Sequence, residues 1–303
     1  MRAIRIHEFG GIDTIRLDEI PRPVPGAGEM LVAVKAAGVG PWDRLMREGR
    51  ISQTLPLTLG SDVSGTVAAL GAGVGAFALG DAVYGATNDQ FVGGYAEYAL
   101  VEAGEIAPKP AALDYVTAAG LPVVAVTAWQ MLFEYARIEP GQAILVRGAA
   151  GSVGACATQM TTGSAPSARP GHRPRAGARR RARRGRRPRW RGIGLPVPRC
   201  GHRHDRRRRT RKHLCEALRP NGIIVSVVRA PDEAYLRSKG MRAAYLIVDV
   251  TRDRLDKVSA MIERGTLHLP VGEVLDLADA STAHRMLDGA PHKPGKIVLK
   301  VAD

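Results

Sequence analysis

The sequence predicts an α/β protein built from two cores: a β-rich opening resembling a small barrel, and a doubly wound parallel sheet entered through a glycine loop. Three observations carry this. The first hundred residues read as short strands joined by Gly/Pro turns. Beyond Asp114 the apolar spacing becomes helical. Then Ala143-Ile144-Leu145-Val146, a short apolar run, leads straight into a glycine loop ending at Gly154, with a helix beginning at Val153 and reaching Met160. Strand, glycine loop and helix in that order open a nucleotide-binding βαβ unit.

Taken in order, Arg2–Glu8 and Ile15–Ile20 alternate as strands, and residues 21–26 form a Pro/Gly connector. Met30–Ala37 and Asp62–Leu70 are apolar strands, and Asp81–Tyr84 and Tyr95–Val101 complete the β-rich unit. Asp114 caps a helix through Ala119, and Val123–Tyr135 predicts a second, largely buried helix. Ala143–Val146 has the composition of a buried parallel strand. Later, Leu214–Leu218 resumes a helix, and Ile223–Val228 and Ala243–Val250 are strands. Asp253 caps a helix to Arg264; Glu273–Leu277, a helix over Asp279–Leu287 and a strand over Lys296–Val301 follow.

A length of 303 residues suits two domains with sizeable cores. No apolar run approaches the ~20 residues of a membrane helix. Met1 to Phe9 alternates charged and apolar residues and lacks a signal peptide's apolar centre. Cysteines at 156, 200 and 215 form no C-x-x-C pair, against both a disulfide framework and a cysteine zinc site. The expectation is a cytoplasmic enzyme. The net charge of +15 suggests a nucleic-acid partner until its distribution is read. Residues 161–212 hold nineteen arginines and Lys212 against Asp205, a net +19, which leaves the other 251 residues at −4.

The loop Ala149-Ala150-Gly151-Ser152-Val153-Gly154 is a G-x-G-x-x-G string with alanine in the first place. Small residues let backbone N–H groups approach a pyrophosphate, and the helix N-terminus adds partial positive charge. The bland alternative is a turn needing positive φ; its place between strand and helix favours nucleotide binding. The partner element, an acid or base on the next strand that selects NAD or NADP, falls inside the arginine-rich segment.

Several ordered motifs then accumulate: Pro25-Gly26-x-Gly28-Glu29-Met30-Leu31-Val32, Ala36-Ala37-Gly38-Val39, and Leu59-Gly60-Ser61-Asp62-Val63-Ser64-Gly65. Gly80-Asp81-x-Val83-Tyr84-Gly85, Gly93-Gly94-Tyr95-Ala96-Glu97-Tyr98, Thr127-Ala128-Trp129, the glycine loop and Gly295-Lys296-Ile297-Val298-Leu299 follow. Together they resemble the medium-chain dehydrogenase/reductase family, in its zinc-independent quinone-oxidoreductase branch, over roughly 1–160 and 213–303. The resemblance implies a GroES-like barrel over 1–120 completed by 266–303, and a Rossmann domain over 121–265. It also implies hydride transfer from NADPH to a quinone or activated carbonyl in the cleft between them, and a homodimer. Thr127 is implied beside the nicotinamide ribose; Ala149, Gly151, Ser152, Val153 and Gly154 are implied to form the pyrophosphate loop. Asp43 matches a family cleft position, with a helix N-cap or surface acid as the equal alternative. Where zinc-dependent relatives place a cysteine and a His-Glu pair, this chain has Gly40 and Ser61-Asp62. Those residues cannot provide tetrahedral N/S ligation, so no zinc is expected. Many quinone-type members carry asparagine at the place of Gly40. Histidines such as His7 and His268 lack metal spacing. No nucleophile or dedicated general acid stands out.

Three readings compete for 161–212: an arginine-rich nucleic-acid arm, a disordered insertion, or an out-of-frame stretch of a GC-rich gene. The arm lacks interleaved aromatics, Trp190 being alone, so nucleic acid is not the expected partner. The family needs roughly fifty residues here for core strands and a helix, so the segment replaces elements and does not add them. Out-of-frame translation accounts for that best. Arginines in place of central strands predict apolar edges bared at Ala143–Val146 and Ile223–Val228, with poor solubility and weakened cofactor binding. Two readings from other classes remain: a non-catalytic module on the same fold, and nucleic-acid binding through the arginines.

Overall fold

The computed structural model describes residues 1–162, 218 and 221–302. The expectations placed on 163–217, including the helix from Leu214 and the strand carrying the NAD/NADP selector, lie outside the described residues.

The N-terminal half is antiparallel. Strand β1 (Arg2–Ile6) lies between β2 (Ile15–Glu19) and the short β4 (Leu57–Thr58). The larger sheet centres on β3 (Glu29–Val39), an almost wholly buried strand paired with β5 (Asp62–Leu70) and β7 (Tyr98–Glu102). Strand β5 continues to β6 (Ala82–Ala86) and β8 (Ile106–Pro108). Between β3 and β4 lies helix α1 (Pro41–Arg47). Helix α2 (Tyr115–Ala119) follows β8, capped as expected by Asp114, whose carboxylate accepts the Thr117 N–H.

Helix α3 (Pro122–Trp129) follows, but the expected single helix to Tyr135 changes winding and runs as a π-helix over Gln130–Tyr135. Apolar spacing does not separate the two windings, because both keep one face buried. The π segment is anchored: the Asp249 N–H donates to Gln130 Oε1, and Arg254 holds Glu134 through two 2.9 Å bonds.

Ala143–Val146 corrects the sequence reading. It is half-buried irregular chain with a one-residue bridge at Leu145, not a buried strand. A parallel strand needs ladder partners, and no described strand pairs with this run. At the second expected bare edge, strand β9 (Ile223–Ser226) pairs in parallel with β10 (Arg242–Tyr245) on one side and with no described strand on the other. Its apolar side chains are buried, against expectation, and within Ile223–Val228 only Val228 is exposed. Leu218 and Leu236 cover Ile224, the latter on α5 (Glu233–Ser238), while Ile223 and Val225 join the main core. Helix α4 (Ser152–Thr162) begins at the glycine loop; α6 (Arg252–Glu263) has Thr251 at its N-cap position with no side-chain capping bond, and Asp253, expected as the cap, lies in the first turn instead.

The C-terminal end returns to the first sheet. Strand β11 (Val271–Asp276) runs parallel to β12 (Lys296–Lys300), which pairs antiparallel with β3; helix α7 (Ala280–Leu287) connects them. The sheet order is β11-β12-β3-β5-β6-β8, with β7 also on β3. Tyr84 on β6 donates to the Leu255 carbonyl at 3.1 Å and meets Ser259 Oγ at 2.8 Å, tying the sheet to α6. No helix among the described residues is long and apolar enough to cross a membrane.

Candidate functional site: a glycine loop and a buried polar cluster

The loop at 148–154 is a tight turn that leads into α4 from irregular chain, not from the expected strand. Gly148 adopts φ +80°, the Gly151 N–H closes onto its carbonyl, and the Ala155 N–H bonds Gly151 to start α4. Gly154 is obligatory: a Cβ there would lie 2.2 Å from the Gly148 oxygen. Ala149 is exposed, while Gly151, Ser152 and Val153 are half-buried. The first turn of α4 is therefore open to a ligand from its N-terminal side, where unpaired N–H groups favour an anion. The cradle fits a pyrophosphate. Thr127 lies on α3, which packs on α4; it is buried, and its hydroxyl donates to the Val123 carbonyl at 2.6 Å.

Asp43 is placed differently from a surface acid. It is fully buried, and its Oδ2 accepts the Gly40 N–H at 2.8 Å and the Tyr95 hydroxyl at 2.9 Å. The first bond is a helix-capping contact, because Gly40 precedes α1. Oδ1 is buried without a partner. Burial lifts this carboxyl to about 6; the bonds from Gly40 and Tyr95 and the charge of Lys296 oppose the rise, and Asp62 adds to it. Tyr95 is also fully buried, and burial together with Asp43 pushes its phenol well above the ordinary range. The ring packs where Gly60, at φ +98°, has no side chain; a Cβ there would be 2.2 Å from Tyr95 Cδ1.

Asp62 lies at the start of β5, opposite Gly38 of β3. Its Oδ1 accepts the Val123 N–H at 2.8 Å, capping the first turn of α3, and Lys296 Nζ donates to its Oδ2 at 3.1 Å. Both side chains of the ion pair are almost wholly buried. His284 on α7 stacks edge-on against Tyr95 at 6.3 Å, and its Nδ1 lies 3.3 Å from Arg47 Nη1. Burial first, then the Arg47 charge, depresses this imidazole to about 3.

Sequence reading singled out Asp43 and the loop but assigned no role to Tyr95, Lys296 or His284. Tyr95 and Lys296 stood inside quoted motifs, so their signal was available; His284 carried none, because only the packing of α7 brings it to Tyr95.

The chain matches the family model for the alcohol dehydrogenase GroES-like domain over residues 26–111, and that for zinc-binding dehydrogenase over 206–299. The chain belongs to the medium-chain dehydrogenase/reductase family. The family match resumes at 206, a few residues before the expected 213. The human quinone oxidoreductase is 39% identical over 163 residues, 53% of this chain and 49% of that protein. The chain thus matches the curated relatives over about half of their length. The quinone oxidoreductase from Coxiella burnetii has the same fold, with a TM-score of 0.79 at 24% identity over 100% of this chain and 99% of that one. Mycobacterial Rv1454c complexed with NADPH gives 0.77 at 23%, covering 99% and 100%.

One of the matched family models is named for zinc. The place of the family's metal ligands does not fit a metal here: Gly40 has no donor, and the Asp62 carboxylate is already bound to an ammonium. Among the described residues no group of three or more His, Cys, Asp or Glu could hold a metal ion.

Proposed function

We propose that this chain is an NADP-dependent, zinc-independent oxidoreductase that reduces a quinone or an activated carbonyl, with activity lowered in this copy by the segment at 161–212. The observation that carries the reading is the glycine loop, whose Gly154 packs on the Gly148 carbonyl and leaves the first turn of α4 open. The relatives named quinone oxidoreductase and the neighbour complexed with NADPH support the substrate class and the cofactor.

In this reading residues 1–120 with 266–303 form the substrate domain and 121–265 the nucleotide domain. Ala149, Gly151, Ser152, Val153 and Gly154 hold the pyrophosphate through backbone N–H groups. Thr127 lies by the ribose of the nicotinamide, on a helix that Asp62 caps. The bound nicotinamide supplies the hydride. Asp43 and Tyr95 lie beneath the cleft and hold a proton between them in the acid half of the pH range. A homodimer in the cytoplasm belongs to the same proposal.

The test is NADPH fluorescence on titration of the full chain, followed by NADPH consumption with a panel of quinones and enones. Saturable binding with slow turnover of at least one acceptor supports the proposal. Absence of binding at millimolar NADPH rejects it in favour of a non-catalytic module.

A further inference from the structure

The ammonium of Lys296 reaches the position that the family's metal-dependent branch gives to zinc. Three strands bring it there. Ile297 on β12 pairs with Val39, and Gly38 pairs with Asp62, so the next step along the ladder sets Lys296 beside Gly40. The distances agree: Nζ lies 3.1 Å from Asp62 Oδ2, and a Cβ built on Gly40 would lie 3.7 Å from Nζ and 3.9 Å from Asp43 Oδ2. Gly40 has φ −147°, extended backbone open to any residue. Neither backbone nor crowding therefore demands glycine here. A thiolate or imidazole at position 40 would face an ammonium, not a vacant metal seat.

We propose that Lys296 is a built-in cation at this locus: it neutralises Asp62, excludes divalent metals by charge, and is a positioning residue for helix α3. Its partner Asp62 caps α3 through the Val123 N–H, so one lysine on the last strand fastens β5 to the helix that carries Thr127. Both groups are withdrawn from water, where a charge is retained only with a partner. A metal cation would meet the ammonium at contact range and find the Asp62 carboxylate already engaged by it. The inference uses the family correspondence of Gly40 and Asp62 and not the proposed catalytic activity, so its test reads no turnover.

The test introduces Gly40→Cys into full-length protein carrying Cys200→Ser and Cys215→Ser. Cys156 stays, since it is buried and its thiol is pushed up to about 12. Alkylation of the new thiol by iodoacetamide at pH 7 follows its thiolate fraction. With Lys296 or Lys296→Arg the rate should be about tenfold that with Lys296→Met, the effect of about one unit in thiol pKa. Equal rates in the Arg and Met variants overturn the proposal. Should Lys296→Met lose its near-ultraviolet circular dichroism, the Gly40→Cys/Ser61→His variant with Lys296 intact decides the question by cobalt(II) titration. No thiolate-to-cobalt absorption at millimolar cobalt is expected. A stoichiometric band would mean the ammonium does not exclude the metal.

Discussion

The Tyr95 phenol donates to Asp43 Oδ2 at 2.9 Å with both side chains fully withdrawn from solvent. This is the only side-chain hydrogen bond to Asp43 among the described residues, and it leaves Oδ1 unpartnered. Removing a donor from a buried acid costs more than the bond's net worth. Tyr95→Phe should lower stability by about 1–3 kcal/mol at pH 7 and by clearly less at pH 4, where Asp43 carries its own proton. Urea denaturation at the two pH values measures this; an equal loss at both rejects the assignment.

Asp43 and His284 pull the pH dependence of stability in opposite directions. The Asp43 carboxyl is raised to about 6, so between about 4 and 6 the folded state holds a proton that the unfolded chain releases. Its contribution falls by about 3 kcal/mol as pH rises through that window. The His284 imidazole is depressed to about 3, so the unfolded chain takes the proton first as pH falls below 6.5. Its contribution is full above 6.5 and is lost towards pH 3, on the order of 5 kcal/mol. Between pH 4 and 6 the two slopes oppose. Asp43→Asn should steepen the loss of stability on acidification, and His284→Asn should make stability fall as pH rises. Chemical denaturation at half-unit pH steps separates them, and two variants with the wild-type slope would refute both assignments.

Breaking the Lys296–Asp62 pair from one side strands the other charge in the core. Lys296→Met should cost about 3–5 kcal/mol, and Lys296→Met with Asp62→Asn less than the two single losses added together. A double-mutant cycle read by thermal and urea unfolding checks this; additive losses would show that the ion pair is not coupled.

Gly154→Ala places a methyl group against the Gly148 carbonyl, where backbone and not a side chain must yield. NADPH affinity should fall at least about tenfold, with a lowered unfolding temperature. Unchanged binding in a folded variant would remove the loop from the cofactor site.

The encoding DNA across codons 155–220 should, in another frame, specify apolar runs of strand period and a helix between them. Such a frame makes the intact protein an ordinary family member and this chain a misread copy. If the arginine frame is confirmed and no other frame carries that pattern, the segment is a true replacement.

Much of the fold was legible because local chemistry decided it. Alternation placed β1 and β2, apolar runs placed β3 and β5, the Asp114 side chain stopped α2 at its start, and the order of apolar run, glycines and helix located the glycine loop. Where the sequence misled, partners were the reason. Ala143–Val146 has the composition of a buried strand, yet no described strand supplies its ladder. Ile223–Ser226 looked bare until Leu218, Leu236 and the main core covered it. Asp43 could be chosen from the family position it matches, but its burial beside Tyr95, whose ring fills the space that Gly60 leaves open, was not legible.

The sequence by itself determined strands β1–β3 and β5–β7, the helix that Asp114 caps, the family, the glycine loop and the lack of donors at Gly40, because each rests on residue identity over a few neighbours. Only the tertiary structure decided that Lys296, 234 residues from Asp62, stands beside it, and that His284 stands beside Tyr95. Those contacts come from the antiparallel return of β12 onto β3 and the packing of α7, long-range pairings that short-range periodicity does not encode.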